Sequence, residues 1–197
     1  GYLGFVPNAS LAKPTKATHR VCSAATHGYK DADMKSADLV MLSHGCKIAG
    51  RGFVGKFIET AYGYIPTNHL SQLSNPETDP AKVALLYLGT PYLWGGNSRS
   101  GIDCSGLVQA AMSACRIACA GDSDQQLKSL GRDVEHGTDP ERNDLLFWKG
   151  HVGLMVDDTT MIHANAHHMC VALEPVDAAI KRIAAQGDGD VTGHKRL

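Results

Sequence analysis

The chain has 197 residues, 43% hydrophobic and 20% charged, the balance of a globular protein of one or two domains. Its 19 basic and 20 acidic residues leave a formal charge of −1, and no basic cluster interleaves with aromatics, which argues against nucleic acid or anionic lipid as a partner. The longest apolar stretches, such as 83–88, fall far short of the roughly 20 residues of a membrane span, so no membrane partner is expected.

In chain order, Gly1-Tyr2-Leu3-Gly4-Phe5 shows neither the basic start nor the apolar core of a signal peptide. A cytoplasmic location is favoured, chiefly because the cysteines below read as free, buried thiols. A periplasmic or secreted one stays open, because the chain begins without Met as if truncated. The cysteines, Cys22, Cys46, Cys104, Cys115, Cys119 and Cys170, show no CxxC spacing, which argues against a zinc ribbon or thioredoxin-type site. Cys104 and Cys115 on one helix face stand about 16 Å apart along the axis and cannot bridge. Buried thiols lean toward a reducing compartment.

An internal repeat sets the expected organisation. Gly4-Phe5-Val6-Pro7-Asn8-Ala9-Ser10-Leu11 and Gly63-Tyr64-Ile65-Pro66-Thr67-Asn68-His69-Leu70 share a Gly-aromatic-β-branched-Pro-x-x-x-Leu pattern at an offset of 59 residues. That period predicts two copies of one small β module, the first present only as its tail. Strands are predicted at 19–23, 38–42, 46–49, 53–59 and 62–65, punctuated by glycines. The ending Gly63-Tyr64-Ile65-Pro66, then Leu70, resembles bacterial SH3-like modules attached to wall enzymes. The predicted domains are a module tail at 1–12, an SH3-like β-barrel at 13–72, a polar linker at 73–80 and a second domain at 81–197.

Asp79 and Pro80 read as the cap and first position of a helix over 81–88. Strands are predicted at 144–148, 152–156, 161–164 and 170–173, then a helix at 177–185 and a last strand near 191–195. Helices first and an antiparallel sheet afterwards is an α+β order. Lys181-Arg182 and Lys195-Arg196 read as solvated charge.

The segment from Gly101 to Met112 carries the chemistry. Asp103 precedes an apolar helical pattern, so Cys104 falls in its first turn. Unsatisfied N–H groups and the positive dipole end there favour a thiolate, the attacking species of a cysteine nucleophile. His151 heads an apolar strand after a turn at Lys149-Gly150, and His163 lies on the next one. If Val156 pairs with Thr160 across the turn at Asp157-Asp158-Thr159, Gly153 faces His163, and the two histidines share one face as diagonal neighbours. That suits an imidazole base oriented by a second imidazole.

Thr90-Pro91-Tyr92-Leu93-Trp94-Gly95-Gly96 followed by Gly101-Ile102-Asp103-Cys104-Ser105-Gly106-Leu107-Val108 resembles the opening signature of the NlpC-type cell-wall peptidases. Asn143-Asp144-Leu145-Leu146-Phe147-Trp148, His151-Val152-Gly153-Leu154-Met155 and Met161-Ile162-His163-Ala164 resemble that family's later segments, in order. The resemblance implies a papain-like fold and a cysteine endopeptidase cutting the γ-D-glutamyl–L-diamino-acid bond of murein peptides. The SH3-like module extends this to peptides with an unblocked N-terminal L-alanine. By the resemblance Cys104 is the nucleophile, His151 the base, His163 its orienter, and Tyr92 an oxyanion partner beside the Cys104 N–H. Asp103 and Ser105 match amine-binding positions, although Asp103 could also act only as a helix cap. Ser123 survives from a Pro-Arg-Asp-Ser element of which this chain keeps Ala120-Gly121-Asp122-Ser123, so an arginine contact to a substrate carboxylate is missing. Tyr29, in the module's first long loop, is a candidate contact where the module walls off the cleft.

His163, His167, His168 and Cys170 do not follow a recognised zinc spacing, and neither metal nor cofactor is expected; His167 and His168 are expected to rim the site. A non-catalytic wall-binding protein is the competing reading, against which Cys104, His151 and His163 together argue. A permuted papain-like lipid acyltransferase is a further one, but there the His precedes the Cys. Oligomeric state is left open.

Overall fold

A computed structural model describes residues 5–11, 13–135 and 137–197. The expected module tail at 1–12 is therefore only partly covered, since residues 1–4 and 12 lie outside the described residues. The chain forms two compact units, one ending at Pro76 and one beginning at Glu77. The stretch read as a linker divides between them. Asn75 accepts a hydrogen bond from Arg20 Nη1 at 2.8 Å in the first unit, and Asp79 caps a helix in the second.

The first unit is built of short antiparallel strands: β1 (His19–Val21), β2 (Ala25–Tyr29), β3 (Asp38–Ser43), β4 (Lys47–Ile48), β5 (Gly52–Val54), β6 (Phe57–Thr60), β7 (Gly63–Pro66) and β8 (Leu70–Gln72). They form a three-stranded sheet, β4-β1-β8, and a five-stranded sheet, β3-β2-β7-β6-β5. Val21, Ile48 and Ile65 make its core, with Leu42, Cys46 and Leu70 packed against them. The single strand predicted at 53–59 is two strands, because Gly55 takes a φ of +58° and turns the chain between β5 and β6. β2 lies in a stretch the sequence reading left without a strand. Its inward position at Gly28 carries no side chain, since one there would strike the Tyr62 carbonyl. The two halves of the internal repeat share a local conformation: Pro7 and Pro66 each lead into a three-residue 3-10 turn closed by an extended leucine, Leu11 and Leu70.

The second unit contains α1 (Pro80–Leu85), β9 (Asn97–Ser98), β10 (Gly101–Ile102), α2 (Cys104–Ala114), α3 (Ser123–Ser129), β11 (Arg132–Asp133), β12 (Leu145–Trp148), β13 (His151–Met155), β14 (Thr160–Asn165), β15 (Cys170–Pro175), α4 (Val176–Ala185) and β16 (Gly193–Arg196). Six strands form one antiparallel sheet in the order β11-β16-β12-β13-β14-β15. Alternation along the strands serves both faces. Leu145, Phe147, Val152, Leu154, Ile162 and Ala164 pack with α1 and α2. Leu146, Trp148, Met155 and Met161 pack with Val176, Ala179 and Ile183 of α4. Helix α1 is shorter than predicted, its last turn loosening toward Gly89 at a φ of +76°. No described helix is long and apolar enough to cross a membrane.

Of the two basic pairs read as solvated charge, Lys195, Arg196 and Arg182 are structural instead, while Lys181 is exposed. Arg196 Nη2 donates to Asp144 Oδ2 at 2.8 Å, His194 Nε2 meets the same oxygen at 2.7 Å, and Lys195 pairs with Asp133 at 2.7 Å. Asp144 is buried at the base of β12, so its charge needs these partners. The other pair includes Arg182, which belongs to the site below.

Candidate active site

Helix α2 begins where Asp103 stops the preceding extended chain. Asp103 Oδ1 accepts from the Gly106 N–H at 2.7 Å, an N-cap, and its Oδ2 accepts from the Gly95 N–H at 2.7 Å. One carboxylate thus fixes the helix start and the Gly95-Gly96 turn together. Ser105 Oγ donates to Asp103 Oδ1 at 3.2 Å. From the other side, Gln126 of α3 donates to the Ser105 carbonyl at 2.9 Å.

Cys104, the first residue of α2, is 7% exposed. Its Sγ lies 3.9 Å from the Gly150 carbonyl, and the backbone N–H of Val152 also reaches it. The thiol therefore touches the residues on either side of His151. Gly150 takes a φ of +76°, a left-handed value that glycine adopts without strain, and so turns β12 directly into β13. Trp148 pairs with His151 across this turn, their rings 5.7 Å apart.

Across β13 and β14 the register is Leu154 with Ile162 and Met155 with Met161, with the Val156 N–H donating to Thr160. This is the register the turn length predicts, and it brings the histidines together: His151 Nε2 stands 2.9 Å from His163 Nδ1. His163 is wholly buried, and its Nε2 stands 3.1 Å from Glu174 Oε2. Glu174 is held by Arg182 of α4, Nε to Oε1 at 2.9 Å and Nη2 to Oε2 at 2.7 Å. Glu174 and Arg182 escaped the sequence reading. A signal existed in the pairing of β14 with β15, where Glu174 opposes Met161 on the same face as His163.

Tyr92, Cys104 and His151 line one cavity of about 570 Å³, with Lys149, Arg182 and Asp188 among its other walls. Asp103, Ser105 and Ser123 are buried and are not part of that lining. Of the two histidines expected at the rim, His167 lines the cavity. Tyr29 lies on β2 of the first unit, crossing the Phe57 ring edge-on at 6.2 Å.

Burial governs the electrostatics. It pushes the Cys104 thiol up to about 11, against the pull of the Val152 N–H and the helix start. The expected lowered thiol pKa is thus reversed, because desolvation outweighs the helix terminus here. Burial, then the Arg182 charge, brings His151 down to about 4. Burial, then His151, brings His163 down to about 3. Arg182 holds the Glu174 carboxyl below its usual value, and burial, then the charges of Cys104 and Asp103, raise the Tyr92 phenol. At neutral pH the resting pair is a thiol beside a neutral imidazole.

Among the described residues, His163, His168 and Glu174 bring one ligand atom each within 4.8 Å of one another. A cation there would displace existing bonds, since both ring nitrogens of His163 and both oxygens of Glu174 are engaged. Cys170 is not part of that group.

The profile of the NlpC/P60 family matches residues 89–182. A probable endopeptidase of Mycobacterium tuberculosis (strain ATCC 25618 / H37Rv) is 33% identical over 104 residues, 52% of this chain and 27% of the relative. A gamma-D-glutamyl-L-lysine dipeptidyl-peptidase of Bacillus cereus (strain ATCC 10987 / NRS 248) is 30% identical over 147 residues, 70% of this chain and 41% of the relative. The chain thus spans well under half the length of either. A crystal structure of an NlpC/P60 family protein from Bacillus cereus ATCC 10987 shares the fold, with a TM-score of 0.71 and 21% identity, over 91% of this chain and 62% of that one.

Proposed function

We propose, from the premise that residues 89–182 form an NlpC/P60 family domain, that this chain is a cysteine peptidase of murein-derived peptides. It hydrolyses the γ-D-glutamyl–L-diamino-acid bond of peptides with a free N-terminal L-alanine, in wall-peptide turnover or recycling. The observation that carries the reading is the contact of the Cys104 thiol with both neighbours of His151, whose far nitrogen bonds His163. The Bacillus cereus relative is a gamma-D-glutamyl-L-lysine dipeptidyl-peptidase by name, which supports the choice of bond. We read the second unit as papain-like and the first as SH3-like on the motifs given above.

In this mechanism Cys104 passes its proton to His151 as sulfur attacks the γ-carbonyl carbon. The Cys104 N–H and the Tyr92 hydroxyl receive the oxyanion. His151 returns the proton to the departing amine of the diamino acid, leaving a thioester. Water, deprotonated by His151, then attacks the thioester, and the thiol is regenerated. Arg182 beside the cavity disfavours a standing imidazolium, so the base returns readily to its neutral form. Asp103, with Ser105 beside it, is proposed to receive the substrate ammonium in addition to capping α2.

The test incubates the protein with L-Ala-γ-D-Glu-meso-diaminopimelate and with its N-acetylated form, reading products by mass. Release of L-Ala-D-Glu and diaminopimelate is expected from the first, slowed roughly ten- to a hundredfold by acetylation. Cys104→Ala is expected to abolish release and keep its circular dichroism. Substantial hydrolysis by Cys104→Ala would remove the nucleophile from this reading. Equal cleavage of both substrates would reduce Asp103 to a cap.

A further inference from the structure

The bonded row behind His151 has a direction, and one residue sets it. A carboxylate only accepts hydrogen bonds. Glu174 Oε2 faces His163 Nε2 at 3.1 Å, so the hydrogen of neutral His163 sits on Nε2 and its Nδ1 presents a lone pair. That lone pair faces His151 Nε2 at 2.9 Å, so His151 carries its own hydrogen on Nε2. The acceptor lone pair of His151 is then left on Nδ1, the nitrogen not spent on His163. Reversed at either step, the row would turn an N–H outward from His151 and leave it unable to take a proton.

We propose that Glu174, clamped by Arg182, is a positioning residue that fixes the tautomers of His163 and His151 so that His151 Nδ1 is the acceptor for the Cys104 proton. The inference rests on reading Cys104 as nucleophile and His151 as base. Arg182 contributes in two ways. Its two bonds to Glu174, at 2.9 and 2.7 Å, hold both oxygens in place. A third bond, Nη1 to Gln186 Oε1 at 2.8 Å, anchors the guanidinium along α4. Neither residue need touch substrate for the device to work.

Glu174→Gln is the discriminating substitution, because it changes direction while keeping shape. Arg182 only donates and will claim the single amide oxygen. The amide NH₂ then faces His163 Nε2 and inverts the row. Measured in the full chain, kcat is expected to fall about 10²- to 10⁴-fold, the scale at which a wrong imidazole tautomer impairs a catalytic triad, with KM little changed. The acid limb of the rate should also move in opposite senses in two variants. Losing the Glu174 charge lowers the His151 pKa, so the limb shifts to lower pH. Losing the Arg182 charge in Arg182→Gln raises it, so the limb shifts to higher pH. Those limb shifts report the two charges alone, whereas the fall in kcat at unchanged KM and the position of the imidazole hydrogens report the direction of the row.

Imidazole ¹⁵N chemical shifts of the unreacted protein give a readout free of any substrate. The wild type should show hydrogen on Nε2 of both histidines, and Glu174→Gln should move it to Nδ1. Those tautomers in a protein that cleaves no wall peptide would leave the row standing and remove the proposed function. Hydrogen on Nδ1 of His151 in an active wild type would overturn the row. So would wild-type kcat in Glu174→Gln.

Discussion

At Cys104 two effects oppose each other. The first turn of α2 offers N–H groups and a positive dipole end, effects of about 0.3–1 kcal/mol at exposed sites. Removing the sulfur from water works the other way and prevails, holding the thiol near 11. His151 is subject to the same effect with the opposite sign of charge. Its neutral form is the base of the proposed mechanism, and burial brings its pKa down to about 4. As pH falls, kcat/KM is therefore expected to stay level through the ordinary imidazole value of 6.5 and to decline only on approaching about 4. A pH–rate profile on the free tripeptide checks this, and an acid limb near 6.5 would show that His151 is not shielded as described. The placement of Cys104 at a helix start and of His151 and His163 on one sheet face was legible in the sequence, because a helix boundary and one hairpin fix it. The charge balance was not legible, since it depends on how deeply α2 sinks against the sheet. Glu174 and Arg182 were missed because a glutamate near a strand end and an arginine on an amphipathic helix look like ordinary surface residues until both faces of the sheet are assigned.

At the scale of elements, β13 and β14 must lie close enough for the two imidazoles to bond. Gly153 permits this. A Cβ built there would clash with the thioether of Met161, which is fully buried in the layer under α4. Gly153→Ala is expected to destabilise the fold by about 1–3 kcal/mol through overpacking. Met161→Ala should relieve part of that, giving a coupling of about 1 kcal/mol in a double-mutant cycle read by urea unfolding. Strictly additive effects would place the strain elsewhere. The β13–β14 hairpin was readable in advance, because a short Asp-rich turn between two apolar runs leaves one register that keeps both faces buried. β2 was not, because its fit depends on Gly28 lying against a carbonyl distant in sequence. The break at Gly55 was missed because Phe53 and Val54, both exposed, read as interior strand residues.

Across the whole molecule, the second unit carries acid-sensitive groups of two kinds. His151 and His163 have folded pKa values below the ordinary 6.5, so below that pH the unfolded chain binds protons that the folded one refuses. Their contribution is complete above 6.5 and shrinks as pH falls. Asp144 and Glu174 are held below their ordinary 3.8 and 4.5, so what they contribute is present above those values and lost as pH falls through their folded pKa values. Both signs agree, and the thermal midpoint is expected to fall from pH 7 to pH 5 and more steeply toward pH 3, measured by calorimetry. A midpoint level down to pH 5 would mean that the histidines are not buried neutral. The order of helices before sheet was legible from hydrophobic period alone, whereas the short β9, β10 and β11 were not, because two-residue strands have no period. All six cysteines are present as thiols, and the catalytic candidate is the one wedged between a helix start and a strand. Oxidants attack thiolates, and a thiol near 11 offers on the order of one thiolate in 10⁴ at neutral pH. Burial thereby separates two properties that usually travel together: in the proposed mechanism the sulfur is made a nucleophile only as His151 takes its proton, and at rest it is a poor target for peroxide.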